Sequence, residues 1–497
     1  MHRFLRLTSL LTLASCGAAC SNNAQIVAYV IAPDGGDPFL GVDAATQARV
    51  TLENDAGTQT TVPVMSNGSF TLDLHPASSI EVSRLRVEAL RNGDVIATGV
   101  TTPVQWGASG NDAIPVLMQF RDSVVAAPQS LPEGRADCQL LIAGGYGEFV
   151  GCFTFPSAQN DAGTPAVFDV MHQLRATFAQ TIPGDFTGDA TVVLAGGKIY
   201  LLQGASAVQY TGDPHSDMVA VDVSDYLPHN SSGTSLREGL VRSTVYPSDD
   251  GGWLLGGNVA AVSSQRVDHF TSGTPDGGTS FIAFDTATIE QLLVSRTSPQ
   301  IVELTRENVN PRILVAGGNA SDQAFLELYR PMGQDVNRTL QLNGGADTNR
   351  THAAVACIHS NPDPSPHCDR VIVLGGRNGT TAGEDLLLDV EPLQHGGAGD
   401  PNVLQHGHWL VHPRDDAHLG LAEGGRLLVA GGDDANGPVR ALEVLDIHDP
   451  NAAPTSLDLH ADSCEHPMVA GVSNGSVIIM GGTLAGVPCT DISFYRH

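Results

Sequence analysis

The chain has 497 residues, 55 of them glycine and 29 proline, with aromatics at 5% and a formal net charge of −29. That composition suits many turns and short strands, no 3.6-residue apolar period persists long enough for a major helix, and the length exceeds one ordinary core. The charge argues against nucleic acid and anionic lipid as partners and favours solubility or cation binding.

The first segment reads as a processing signal. Arg3 and Arg6 precede an apolar stretch, Leu7–Leu13, too short to span a membrane. It ends in Leu13-Ala14-Ser15-Cys16, which resembles the lipobox of bacterial lipoproteins. The resemblance implies removal of 1–15, acylation of Cys16 and a tether over 16–24. Gly17 after the cysteine implies sorting to the outer membrane, periplasmic or surface-exposed, with the membrane contacted through the lipid alone. The alternative is an ordinary secretory leader cut near Ala19.

Residues 25–112 carry β-rich segments separated by Gly, Asn and Asp turns: QIVAYVIAP, ARVTLEN, TTVPV, GSFTLDL, RLRVEALR and DVIATGVTT. The spacing predicts a small antiparallel, immunoglobulin-like sandwich of six or seven strands. It resembles the carboxypeptidase-regulatory or fibronectin-type modules of surface proteins, which implies a spacer between anchor and body.

From 113 to 497 a repeat takes over. Seven apolar runs end in glycine corners whose last glycines are 145, 204, 257, 318, 376, 432 and 482. A period near 50 residues predicts a β-propeller, because one small sheet cannot bury both faces without copies of itself beside it. A further strand follows each corner, as in FLELYRP (325–331) and LEVLDIHDP (442–450), and a strand led by Arg and His precedes it, as at Arg350-Thr351-His352 and Arg414 to His418. This pattern, with Glu423-Gly424-Gly425 ahead of Leu427–Gly432 and Trp409 at the outer strand, resembles the kelch repeat and the propeller of the galactose-oxidase superfamily. The fold expected is therefore all-β: a seven-bladed kelch-type β-propeller after a small sandwich. Six blades is the alternative if the degenerate second repeat, with Gln203-Gly204 at its corner, is not a blade. The last repeat is a strand short, and Ala113–Phe120, AIPVLMQF, is apolar enough to supply it and hide the open edge.

Six cysteines fall in local pairs: Cys138 with Cys152 around Gly145, Cys357 with Cys368 around a proline-rich insertion, and Cys464 with Cys489 around the last central strand. Fifteen connectivities are open, and these three pairs are the simplest in an oxidising compartment.

Candidate chemistry is sparse. His406 and His408 share a strand face and His412 follows, a conceivable zinc or copper set, although the segment is also explained as an outer strand. His352, His418 and His466 fall on the repeat's own histidine position and read as packing residues. Thr274–Phe281 loosely resembles a sialidase Asp box, a single imperfect copy. Asp249-Asp250 and Asp433-Asp434 are acidic turns that could hold calcium, the one cofactor to consider. The copper-radical chemistry that the galactose-oxidase resemblance implies lacks its tyrosine–cysteine arrangement and any domain after the propeller. No Gly-x-Ser-x-Gly, His-Glu-x-x-His or phosphate-cradling loop is present. The reading is a non-enzymatic module binding a protein or glycan at the cell envelope, expected to be monomeric. The alternative is an envelope polysaccharide hydrolase or lyase with its site at the propeller's channel mouth; three or more titratable groups there would favour an enzyme.

Overall fold

Continuous apolar character over five or so residues means burial on both faces of a strand, and the computed structural model shows what covers each face. It describes the chain from 28 onward apart from internal stretches, the longest being 69–81, 106–113, 155–164, 183–189, 211–218, 225–242 and 274–280. The leader, the tether and Cys16 lie outside the described residues. No α-helix occurs among the described residues; one short 3-10 turn, Glu391–Leu393, interrupts the strands.

Two groups of sheets follow in chain order. In the first, Gln47–Glu53 lies between Thr58–Pro63 and Val82–Arg91, and Asp94–Val100 and Gln119–Phe120 extend the same sheet. Alternation sets its two faces: Ala48, Val50 and Leu52 are fully buried, while Arg49 faces Glu88 across the ladder at 2.5 Å. A parallel pair, Ala28–Ile31 with Ile114–Leu117, supplies Ala28, Ile114 and Val116 to the same core.

Among the described residues the second group has one sheet unit per repeat, seven in sequence, with the fourth and fifth sharing a single eight-stranded sheet. Their first strands are Gln139–Ala143, Thr191–Ala195, Thr244–Ser248, Gln300–Thr305, Ala354–Asn361, His418–Ala422 and Met468–Gly471. Sheet two, the degenerate repeat, is a four-stranded antiparallel sheet like sheets one and six. The fourth and fifth sheets are joined through one pairing, Thr305 with His367. Each first strand packs beside the first strand of the next sheet, and Met468–Gly471 packs beside Gln139–Ala143.

The apolar runs are the second strands, and their side chains point alternately to the two neighbouring sheets. In Arg426–Ala430, Leu427 and Val429 join Ile372 and Leu374 of sheet five, whereas Leu428 and Ala430 join Val477 and Ile479 of sheet seven. Leu427, Leu428 and Val429 are each 0% exposed. At about 1.5–3 kcal/mol per buried Val or Leu, these layers are the main source of cohesion between sheets.

The glycine corners have a steric cause. At the five described corners both glycines have φ between 57° and 95°, a region that costs other residues strain. The chain also passes too close for a side chain: a Cβ on Gly375 would meet the Arg414 carbonyl oxygen in the next sheet's lead turn at 2.0 Å, and one on Gly432 the Asp415 oxygen in its own sheet's lead turn at 2.2 Å. The corners at Gly145 and Gly204 lie outside the described residues.

The strand that completes sheet seven is not the one expected. Ala113–Phe120 does not join it: Ile114–Leu117 pairs with Ala28–Ile31, and Gln119–Phe120 pairs with Asp94–Val100. Ser123–Ala126 takes the outer position instead, with Val125 opposite Phe494. The more apolar run is apolar because it bridges two cores. Val116 and Met118 face the N-terminal core, and Leu117 faces the cluster containing Val125 and Phe494. The N-terminal sheet is also docked against the later sheets, through Arg84 Nη1 donating to the Ser473 carbonyl at 2.9 Å and Gln119 Nε2 to the Phe494 carbonyl at 3.0 Å.

All three local disulfides are present, with Cα separations of 5.2 Å (Cys138–Cys152), 5.9 Å (Cys357–Cys368) and 6.4 Å (Cys464–Cys489). Cys138 is diagonal to Cys152 rather than face to face with it, because the register sets Leu140 opposite Cys152. The last bond lies where sheets one and seven meet: the Arg135 N–H donates to the Cys489 carbonyl at 2.8 Å. Changing Cys464 and Cys489 together to serine should cost about 2–4 kcal/mol. Urea unfolding of that variant against the oxidised protein checks it; an unchanged midpoint would refute a stabilising bond.

Candidate functional site

Four short turns lead into the first strands of sheets four to seven: Arg296-Thr297-Ser298-Pro299, Arg350-Thr351-His352-Ala353, Arg414-Asp415-Asp416-Ala417 and Cys464-Glu465-His466-Pro467. In each the third residue has positive φ: 49° for Ser298, 56° for His352, 52° for Asp416 and 51° for His466. Asp and His tolerate that region better than most side chains, and strain repeated at one structural position marks a site to inspect.

In the three turns that begin with arginine, that side chain is buried and faces a carboxylate on the third strand. Arg414 pairs with Glu443, both side chains 0% exposed, and Glu443 also accepts the Val411 N–H at 2.7 Å. Arg296 lies 3.8 Å from Glu327. Burial pushes the Glu327 carboxyl up to about 7 and the Arg296 guanidinium down to about 10. In sheet five Asp385 accepts the N–H groups of Gly375 at 2.9 Å and Trp409 at 2.7 Å, while burial raises its pKa. These groups hold sheets and linkers together.

His352 is different. Its Nδ1 lies 2.9 Å from Asp416 Oδ1 and 2.8 Å from Oδ2, and the Asp416 N–H donates to the His352 carbonyl at 2.9 Å. Two lead turns 64 residues apart are thus locked together across adjacent sheets. Beside them Asp415 is ion-paired with Arg377. Hydrogen bonding to Asp416 raises the His352 pKa above its ordinary value, with the charge of Asp415 adding to it, while burial raises that of Asp415 against the pull of Arg377. His466 Nε2 lies 3.6 Å from Asp433 Oδ1. Such a pair can do general acid–base work: the carboxylate fixes one ring nitrogen, and the other exchanges a proton.

Because the folded pKa of His352 is raised, the pair stabilises the fold fully below the unfolded pKa, and that contribution is lost as pH rises through the folded value. Asp416→Asn should lower the His352 titration midpoint, read from its ring proton by NMR. An unchanged midpoint would show that Asp416 does not set it.

His352 and His466, read from sequence as packing residues, thus pair with carboxylates, and the other histidines singled out there fall elsewhere. His418 is not the counterpart of His352, since it begins its strand four residues after Arg414, where His352 follows Arg350 by two; the counterpart in sheet six is Asp416. His406, His408 and His412 are not brought together. His406 Nδ1 lies 3.2 Å from Glu384, His412 Nδ1 lies 3.7 Å from Asp434, and His408 follows the strand that ends at Gly407. Asp433 faces His466, whereas Asp434 Oδ1 accepts the Asn436 N–H at 2.6 Å. Their carboxylates thus go to different partners. Asp249-Asp250 and Thr274–Ser280 lie outside the described residues. Among the described residues no three His, Cys, Asp or Glu are grouped to hold a metal ion. Asp416, Asp415 and Arg377 were missed from sequence; the signal available for Asp416 was its place two residues after Arg414, as His352 follows Arg350.

No family model matches the chain, and no curated protein is similar to it. Among solved structures it is similar to a fungal alcohol oxidase of the AA5 family in complex with copper, at 13% identity and a TM-score of 0.49, over 75% of each chain. That protein is an oxidase and not a binding module, so the comparison gives the non-enzymatic binding-module reading no support, and that reading is dropped. The likeness brings no ligand or activity to this chain. Among the described residues the donor groups do not assemble for copper.

Proposed function

We propose that the chain is a propeller enzyme whose acid–base centre is the His352–Asp416 pair. The seven sheets act as kelch-type blades, a reading supported by the unbroken circuit of neighbouring first strands and by one apolar layer between each successive pair. The unit ahead of them is a docked sandwich reaching to Phe120. The His352–Asp416 hydrogen bond across two blades, built on two residues of positive φ, carries the functional reading.

In this reaction class His352 takes a proton from a bound substrate or returns one, and Asp416 holds the ring and stabilises the imidazolium. Asp415, fixed by Arg377, keeps a second carboxylate beside the pair. Turnover is screened over chromogenic esters, nitrophenyl ethers and small alcohols. His352→Gln and Asp416→Asn should each lower the rate on any accepted compound by about 10²–10⁴-fold with the fold retained. Wild-type rates in both variants would sink the proposal.

The protein is further proposed to work outside the cytoplasm, tethered to the outer membrane through acylated Cys16. The charged leader and Leu-Ala-Ser-Cys support this, and among the described residues no helix is long and apolar enough to cross a membrane. Replacing Cys16 by serine should move the protein from the membrane to the soluble fraction. Retention in the membrane would end the lipoprotein reading.

A further inference from the structure

A groove of about 240 Å³ opens where the N-terminal sheet meets sheets six and seven, and it shares no residue with the His352–Asp416 pair. Arg86, Arg121, Glu423 and Arg496 line it, with Ile96 and Ala97 on one wall. Its charges do not cancel. Glu88, also in the lining, is engaged by Arg49 at 2.5 Å, and Glu423 by Arg86 at 2.5 Å.

Arg496 is 2% exposed. Its Nε donates to Gln119 Oε1 at 3.2 Å and its Nη2 to the Asn474 carbonyl, but Nη1 has no hydrogen-bond partner and stands 3.5 Å from Glu423 Oε2. Arg121 at the mouth is exposed, with Asp122 3.7 Å away and His497 Nε2 at 3.0 Å. A buried guanidinium with an unmade hydrogen bond is costly to leave so, and burial has already lowered the Arg496 pKa to about 10. An anion supplying the missing acceptor offsets that cost, and the planar fork of arginine fits carboxylate and phosphate oxygens.

We propose that this groove binds a small oxyanion, a carboxylic acid or a phosphate, with Arg496 at its inner end and Arg121 at its mouth. Its walls come from both groups of sheets, so occupancy would tighten the docking of the N-terminal unit on the last two sheets.

The test is thermal unfolding of the whole protein titrated with sodium phosphate or sodium acetate against sodium chloride at matched ionic strength. A specific site raises the midpoint with the logarithm of anion concentration. Arg121→Gln, an exposed change, should move the titration to about tenfold higher concentration, since one charge-assisted contact is lost. Arg496→Gln should abolish it; if that variant fails to fold, Arg121→Gln alone decides. A response to acetate alone identifies a carboxylate site, and a response to phosphate alone or more strongly identifies a phosphate site. Equal effects of chloride and the oxyanions, or an unchanged titration in Arg121→Gln, would overturn the proposal.

Discussion

Replacing Glu443 by alanine is expected to destabilise the protein by about 3–5 kcal/mol, among the largest effects available from a single side chain. Arg414 and Glu443 are both 0% exposed. Removing the carboxylate leaves a buried cation whose remaining partners are carbonyls, those of His412, Gly431 and Ala441 at 3.1 Å each. It also leaves the Val411 and His412 N–H groups without their acceptor. Removing both charges by Arg414→Met with Glu443→Leu should cost less than Glu443→Ala alone, because no uncompensated charge stays behind. Glu465→Ala, which breaks the more exposed pair with Arg440, should cost about 0–1 kcal/mol. Urea denaturation of the three variants measures the difference. Equal losses for Glu443→Ala and Glu465→Ala would show that burial of the pair is not what makes it matter.

The second large effect is expected at the seam between first and last sheets. Proline at Val125 should loosen sheet seven, because Val125 pairs with Phe494 in the only strand among the described residues that covers that sheet's outer edge, and proline cannot donate to a ladder. Both side chains sit in the cluster joining sheets one and seven. Hydrogen exchange over Ile492–Arg496 reads the seam directly. It should rise strongly in Val125→Pro and little in Val116→Pro, whose strand pairs with Ala28–Ile31. The opposite order would restore Ala113–Phe120 as the closing strand.

Much of the architecture was legible in the sequence because it is made of local contacts repeated. A glycine corner with an apolar run ahead of it needs only its own repeat to be recognised, and Leu427–Gly432 or Val477–Gly482 announce both the strand and the two faces it must bury. The three disulfides were legible for the same reason: each joins residues 11 to 25 apart in one sheet's neighbourhood. The His352–Asp416 pair was not, since its two members belong to different repeats and each alone resembles a turn residue. Nor was the closing strand, because apolarity ranks AIPVLMQF above SVVA and cannot say that the former serves two cores at once.

By itself, then, the sequence determined that the chain is all-β, that its sheets repeat with a period near 50 residues, and which cysteines lie near each other. Only the tertiary structure decided which charged groups meet. Arg414 with Glu443, Arg86 with Glu423, and His352 with Asp416 are 29, 337 and 64 residues apart. The physical reason is that strand pairing follows local register, whereas contacts between stacked sheets depend on how every apolar layer between them settles.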